Sequence, residues 1–190
     1  MNLPNRLTCT RILLTVLFMF LLFAPGVAPK ALALGTFLLA SFTDYWDGRI
    51  ARRQGQITAF GKLMDPVADK ILTLSAFLAF VQLNVIPAWM VVIIIARDLL
   101  ITGIRFFLPA RGDSQSARSS GKHKTALQFA SIVGVLIFLT VKETDLWKPE
   151  WTPAAQEFIY YSMFLIVGVT LASGVWYLVQ NREVFNEPSR

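Results

Sequence analysis

Six apolar runs, each near twenty residues long, leave this chain few ways to fold. They fall near residues 9–25, 30–53, 62–83, 86–108, 122–142 and 153–180. A helix of roughly 20 residues is what crosses the hydrocarbon core of a bilayer. Six such helices in 190 residues leave only short connections. The expectation is therefore an all-α protein, a polytopic integral membrane bundle of six transmembrane helices, with residues 1–190 as a single membrane domain. With 55% hydrophobic and 16% charged residues, the composition lies far from that of a soluble domain.

Charge orients the bundle. Arg6 and Arg11, then Arg49, Arg52, Arg53 and Lys62, then Arg105, Arg111, Arg118, Lys122 and Lys124, and finally Arg182 and Arg190 all fall at one end of the six runs. The other end has only Lys30, Lys142 and Lys148. By the positive-inside rule both termini are expected in the cytoplasm. A basic face of this kind suits anionic membrane lipids and phosphorylated substrates. Nucleic acid is not an expected partner, because the basic groups are scattered between apolar runs without a binding module. One alternative concerns the start of the chain. Arg6 and Arg11, the apolar stretch to Phe23 and the small residues near Ala28 also fit a secretory signal peptide, whose removal would leave five spans.

Breakers divide the runs. Pro25, Gly26 and Pro29 separate the first two, and Asn84 to Pro87 form a tight turn between the third and fourth. Residues 109–121 read as the longest polar loop, and residues 143–153 as a short outer loop with Trp147 and Trp151 as interface anchors. The tail after Asn181 is polar and expected to fray. Cys9 is the only cysteine and His123 the only histidine. That excludes an intrachain disulfide and a cysteine cluster for zinc. It also argues against catalysis by a Ser-His or Cys-His pair. His123 reads as a polar residue of a basic loop.

Against this apolar background stand four aspartates: Asp44, Asp47, Asp65 and Asp69. An ionisable group inside a membrane segment is costly and marks a functional site by default. The members of each pair are three or four residues apart, and so share a helix face. Around a turn centred near Gln56, Asp47 and Asp65 are each nine residues away, with Asp44 and Asp69 twelve and thirteen away. An antiparallel hairpin therefore brings all four to similar depth, on the basic half. Helices 8–10 Å apart let such carboxylates share a pair of divalent cations, and cations held by carboxylates commonly hold phosphates. Gly48, Ala51 and Gly61 leave room nearby for a ligand or a backbone. Arg52, one turn past Gly48, reaches a phosphate or a carboxylate. Pro66 is expected in the first turn of the third helix, where a missing amide does least harm. Structural ion pairing with Lys70 or Arg97 is the plainer reading, and it covers one or two of the acids rather than four.

The pattern Asp-x2-Asp-Gly-x2-Ala-Arg-x8-Gly-x3-Asp-x3-Asp, running from Asp44 to Asp69, resembles the signature of the CDP-alcohol phosphotransferases at every fixed position. The opening Asn2-Leu-Pro4-Asn5-Arg-Leu7-Thr8-x2-Arg11 is similar to the start of bacterial phosphatidylglycerophosphate synthases. So are Ala96-Arg97-Asp98 through Thr102-Gly103-x-Arg105, and Gly121-Lys122-x-Lys124-Thr125-x2-Gln128. Asp98 departs from that pattern, which more often has Glu. The resemblance implies that Asp44, Asp47, Asp65 and Asp69 hold two ions, Mg2+ or Mn2+, and that Asp69 doubles as general base. It implies that Gly48, Arg52 and Thr58 lie against the CDP part of a donor lipid, with Asn5 and Thr8 closing over it and Gly61 alongside. It also implies a homodimer.

On that reading the donor is CDP-diacylglycerol and the acceptor sn-glycerol 3-phosphate. An aspartate, with an ordinary pKa of roughly 3.9, is a weak base, so its use there depends on position. The acceptor's own phosphate needs a cationic seat. Arg105, Lys122 and Lys124 are the candidates, with Arg118 and Arg111 also readable as ordinary positive-inside charge. Other acceptors (inositol phosphate, phosphatidylglycerol or serine) remain alternatives, serine having no use for such a seat. Two further classes compete. An intramembrane prenyltransferase also pairs acidic motifs with magnesium, but places them far apart. A cation channel or transporter leaves Gly48, Arg52, Gly61 and the basic seat without a purpose.

Overall fold

A computed structural model describes the backbone of residues 3–54, 59–107 and 115–180, and side chains within residues 9–43, 70–104 and 125–180. Among the described residues all regular structure is helical. The helices are α1 (Leu3–Phe23), α2 (Val27–Gln54), α3 (Ala59–Gln82), α4 (Ala88–Phe107), α5 (Gln115–Lys142) and α6 (Trp151–Gln180). The six expected runs each became a helix.

The first connection shows how the breakers act. Gly26 takes φ 99°, a left-handed conformation that glycine enters without a Cβ clash. That turns the chain at once from α1 into α2. Lys30, in the first turn of α2, then folds back onto the end of α1. Its Nζ donates to the carbonyls of Leu22 at 2.8 Å and Ala24 at 3.2 Å, in a buried setting. The last carbonyls of a helix have no intrahelical partner and carry the negative end of its dipole, so an ammonium there satisfies both needs. Lys30 is thus an internal cap rather than a loop charge. Asn84, at φ 56°, makes the corresponding reversal between α3 and α4.

Cross-helix contacts fix directions and depth. The rings of Phe18 and Phe37 lie 5.6 Å apart, and those of Phe37 and Phe129 stack at 5.8 Å. These join α1 to α2 and α2 to α5. Lys70 on α3 donates to the Asp98 carbonyl on α4 at 3.3 Å. Trp89 meets Phe164 at 6.3 Å, and Arg97 meets Ser173 at 2.8 Å, so α4 and α6 run parallel. The starts of α1, α3 and α5 and the ends of α2, α4 and α6 share one end, called basal here. The opposite end is distal. At the distal end Trp147 packs edge-on against Phe138 and Trp151, and its indole donates to Thr152 at 3.0 Å.

Each helix carries a narrow buried stripe. Phe18 and Leu22 on α1, Ala33, Phe37 and Ala40 on α2, and Leu72, Ala76 and Phe80 on α3 form the centre. The stripe on α5 is Ile132, Val135, Leu136 and Leu139. Phe18 and Leu22 of α1 are fully enclosed in this core. The outside is equally apolar: Phe20 is 75% exposed and Phe158 74%. Exposed apolar surface on this scale fits a membrane protein. Two described segments, Thr125–Lys142 and Trp151–Gln180, are long and apolar enough to cross a bilayer, with shorter apolar stretches at Cys9–Phe23, Val27–Thr43 and Lys70–Gln82. Exposed hydroxyls on this exterior are satisfied within the helix, as Thr36 donates to the Leu32 carbonyl at 2.8 Å and Thr43 to that of Leu39 at 2.7 Å.

Three boundaries differ from expectation. The polar loop expected at 109–121 is shorter, because α5 already starts at Gln115. Beyond Pro109 and Gly112 nothing breaks a helix, and a polar stretch continues one as readily as an apolar stretch. The outer loop likewise ends at Trp151, which opens α6. Pro66 is the eighth residue of α3, not part of its first turn. Its missing N–H leaves the carbonyl of Lys62 without the usual helical donor. The expected fraying after Asn181 concerns residues outside those described.

Replacing Lys30 by Met removes the ammonium and keeps the length. Two carbonyl groups at the end of α1 then lose a charged donor, and unfolding in detergent is expected to become easier by about 2 kcal/mol. Thermal denaturation against the wild-type protein reads this directly.

Candidate functional site

The inward stripes can be followed toward the basal end. On α2 the buried series Ala33, Phe37, Ala40 continues at helical spacing to positions 44 and 47. On α3 the series Phe80, Ala76, Leu72 continues backward to positions 69 and 65. By helical spacing the four aspartates fall in line with these two series, beyond the last described apolar residue of each. Asp44 lies ten residues before the end of α2, and Asp69 ten after the start of α3. Asp47 and Asp65 lie seven before and six after. At about 1.5 Å per residue, the pairs match in depth to about one residue. Both helix ranges are long enough to carry the hairpin register expected from the sequence.

Other site residues fall on the same frame. Asn5 and Thr8 lie on α1, Gly48 and Arg52 on α2, Gly61 on α3, Arg105 on α4, and Arg118, Lys122 and Lys124 on α5. Thr58 and Arg111 lie outside the described residues, as do the side chains of the four aspartates and of the residues just named. By helical spacing, Thr8 extends the buried stripe of α1, Arg105 that of α4, and Lys124 that of α5. Along the chain these positions all lie toward the basal ends of their helices.

Described side chains around this end are mostly polar and engaged. Arg11 is only 2% exposed. The Phe18–Phe37 contact sets α1 against α2, and seven residues basal of it on each helix stand Arg11 and Asp44. A buried guanidinium, which stays charged, therefore sits at the depth of the first aspartate. Its own carbonyl accepts from Thr15 at 2.8 Å. Charge counting alone had given Arg11 no more than an orienting part. Its core-facing position, eleven residues into the chain, shows only when α1 is seen to start at Leu3.

A second polar group joins α3, α4 and α6. Lys70, next to Asp69, donates to the Thr102 hydroxyl as well as to the Asp98 carbonyl, and Thr102 donates to that same carbonyl at 2.7 Å. Arg97 pairs with Asp98 Oδ1 at 3.3 Å and donates to Ser173 Oγ at 2.8 Å. Asp98, which stands where the resembling synthases more often have Glu, is thus seated beside its neighbouring guanidinium. Arg97 crosses α6 over Gly174, where a Cβ would stand 3.0 Å from Arg97 Cγ and 3.2 Å from Nε. Among the described residues no group of three or more acids, histidines or cysteines could hold a metal.

Comparison with known proteins places the sequence in a family. The chain matches the family described as CDP-alcohol phosphatidyltransferase over residues 1–176. A Bacillus subtilis protein named CDP-diacylglycerol–glycerol-3-phosphate 3-phosphatidyltransferase is 38% identical over 148 residues, covering 72% of this chain and 77% of the relative. A Rickettsia typhi protein of the same name is 32% identical over 155 residues, covering 77% and 87%. A probable phosphatidylglycerophosphate synthase of Mycobacterium tuberculosis is 37% identical over 134 residues, covering 69% and 64%.

Gly174→Ala tests the α4–α6 junction. The added methyl meets the stem of Arg97 rather than its mobile tip, so the guanidinium must leave Ser173. Overpacking of this kind is expected to lower stability by about 1–3 kcal/mol, read as a fall in melting temperature that Gly168→Ala, in open space, does not share.

Proposed function

The chain belongs to the CDP-alcohol phosphatidyltransferase family, and from that premise we propose that it transfers the phosphatidyl group of CDP-diacylglycerol to sn-glycerol 3-phosphate, giving phosphatidylglycerophosphate and CMP. What supports this reading is the spacing of Asp44, Asp47, Asp65 and Asp69 on α2 and α3, which continues the buried series of each helix and puts the two pairs at similar distances from the α2–α3 connection. The names of the relatives favour this pair of substrates.

The donor set fits a hard divalent cation. Four carboxylates offer oxygen ligands only, which suits Mg2+ or Mn2+ over softer metals. These aspartates would hold two such ions, which when bound neutralise charge on the pyrophosphate and on the departing CMP. The remaining work falls to the protein. Asn5, Thr8, Gly48, Arg52, Thr58 and Gly61 hold the CDP moiety. Arg105, Lys122, Lys124 and Arg118 seat the acceptor's phosphate. Asp69 accepts the proton of the acceptor's 1-hydroxyl as that oxygen bonds to the phosphorus bearing diacylglycerol. The bond from that phosphorus to the CMP oxygen breaks, so CMP leaves with the electron pair. Lys70, anchored on α4, fixes the helix turn that carries Asp69.

All six helices span the inner membrane on this reading, with the basal end and both termini at the cytoplasmic surface. The excess of Lys and Arg at that end supports the orientation. A homodimer is the assembly we assign.

The decisive experiment measures CMP release from CDP-diacylglycerol by purified protein in detergent, with glycerol 3-phosphate and other alcohols compared as acceptors. Release is expected with glycerol 3-phosphate and lost after chelation of divalent ions. Full turnover in excess chelator would overturn the reading. Asp69→Asn is expected to keep donor binding while turnover falls about a thousandfold, and near-normal product formation would remove its role as base. Lys124→Ala is expected to raise KM for glycerol 3-phosphate about tenfold, with KM for CDP-diacylglycerol little changed.

A further inference from the structure

Gln128 is a buried amide without a protein partner. It is 5% exposed, and among the described residues its Nε2 is enclosed and donates to nothing. Burying such a group unpaired is unfavourable, so a native chain that keeps one has a use for it. Leucine would fill this place in α5 at no such cost. Gln128 heads the core-facing series of α5, one turn basal of Ile132, with Val135, Leu136 and Leu139 beyond. It faces the interior of the bundle, not the lipid.

Depth says what it meets. The Phe37–Phe129 stacking sets α2 against α5. Gln128, one residue basal of Phe129, is level with residue 38 of α2. That is six residues distal of Asp44, about 9 Å. Helical side chains lean toward the N-terminus of their helix, and the N-terminus of α5 is basal. The amide therefore reaches from the apolar side toward the aspartates. Ala40 on α2 and Ala76 on α3, both fully buried, are small residues near this depth.

We propose that Gln128 binds the donor lipid by donating its side-chain N–H to a fatty-acyl ester carbonyl of CDP-diacylglycerol. This rests on the function proposed above. With the pyrophosphate at the aspartates, the diacylglycerol half runs distally, into the apolar part of the bundle. Its first uncharged acceptors are the two ester carbonyls, a few bonds beyond the phosphorus. A neutral donor suits a neutral oxygen there, where an ammonium or guanidinium would need a counter-charge.

The test compares CDP-diacylglycerol with its ether-linked analogue, CDP-dialkylglycerol, which lacks both carbonyls. Wild-type protein is expected to use the ester donor with about tenfold higher kcat/KM. Gln128→Leu is expected to lose about tenfold with the ester donor and nothing with the ether donor, so that the preference vanishes. Its melting temperature should hold or rise, since a buried unpaired amide is gone. Gln128→Met, closer in shape, carries the same expectation should the leucine variant fold poorly. Equal loss with both donors, a change confined to KM for glycerol 3-phosphate, or unaltered kinetics would overturn the proposal. Absence of CMP release by wild-type protein with either donor would instead strike the underlying function.

Discussion

A helix bundle with an apolar exterior must keep its polar groups inside or at its ends, and the rest of this structure follows from that constraint. Outside, Phe20, Phe158 and their neighbours present hydrocarbon. Inside, each helix offers one narrow stripe, and the stripes are apolar only over their distal and middle parts. Toward the basal end they turn polar together. Arg11 on α1 and Gln128 on α5 are buried, and Asp98 on α4 is partly buried, where a hydrophobic residue would serve an ordinary core. Burying polar groups in this way is unfavourable for folding alone. Their gathering toward one end supports placing the proposed site there.

The number, order and class of the helices were legible in the apolar runs, because a run of that length has a single helical outcome. Helix ends were less so. Hydropathy stops where the bilayer would stop, whereas a helix continues until a breaker intervenes. Hence α5 opens at Gln115 and α1 at Leu3, and Pro66 falls well inside α3. The aspartates could be placed beforehand because their partners lie on one hairpin, so spacing about a single turn sets their depth. Their side-chain contacts lie outside the described residues, and the ligand roles assigned to them rest on position and family.

What spacing could not reveal are contacts between helices far apart in the chain. Arg97 and Ser173 stand 76 residues apart, and nothing local links them. Gly174 carries no signal until the guanidinium beside it is seen. In the sequence Lys30 counted only as one of the few charges of the less basic end. Only the fold-back onto Leu22 and Ala24 shows it as a cap. Gln128 belonged to a recognisable motif, yet its sequence neighbours could not show an amide enclosed without a partner.

The turn at Gly26, the ammonium of Lys30 and the Phe18–Phe37 contact together close the first two helices using residues 18 to 37 alone. During synthesis this hairpin has all it needs to pair before α3 has left the ribosome. Arg11, seven residues basal of Phe18, would then already stand level with position 44. The third helix then docks against a surface that is already assembled.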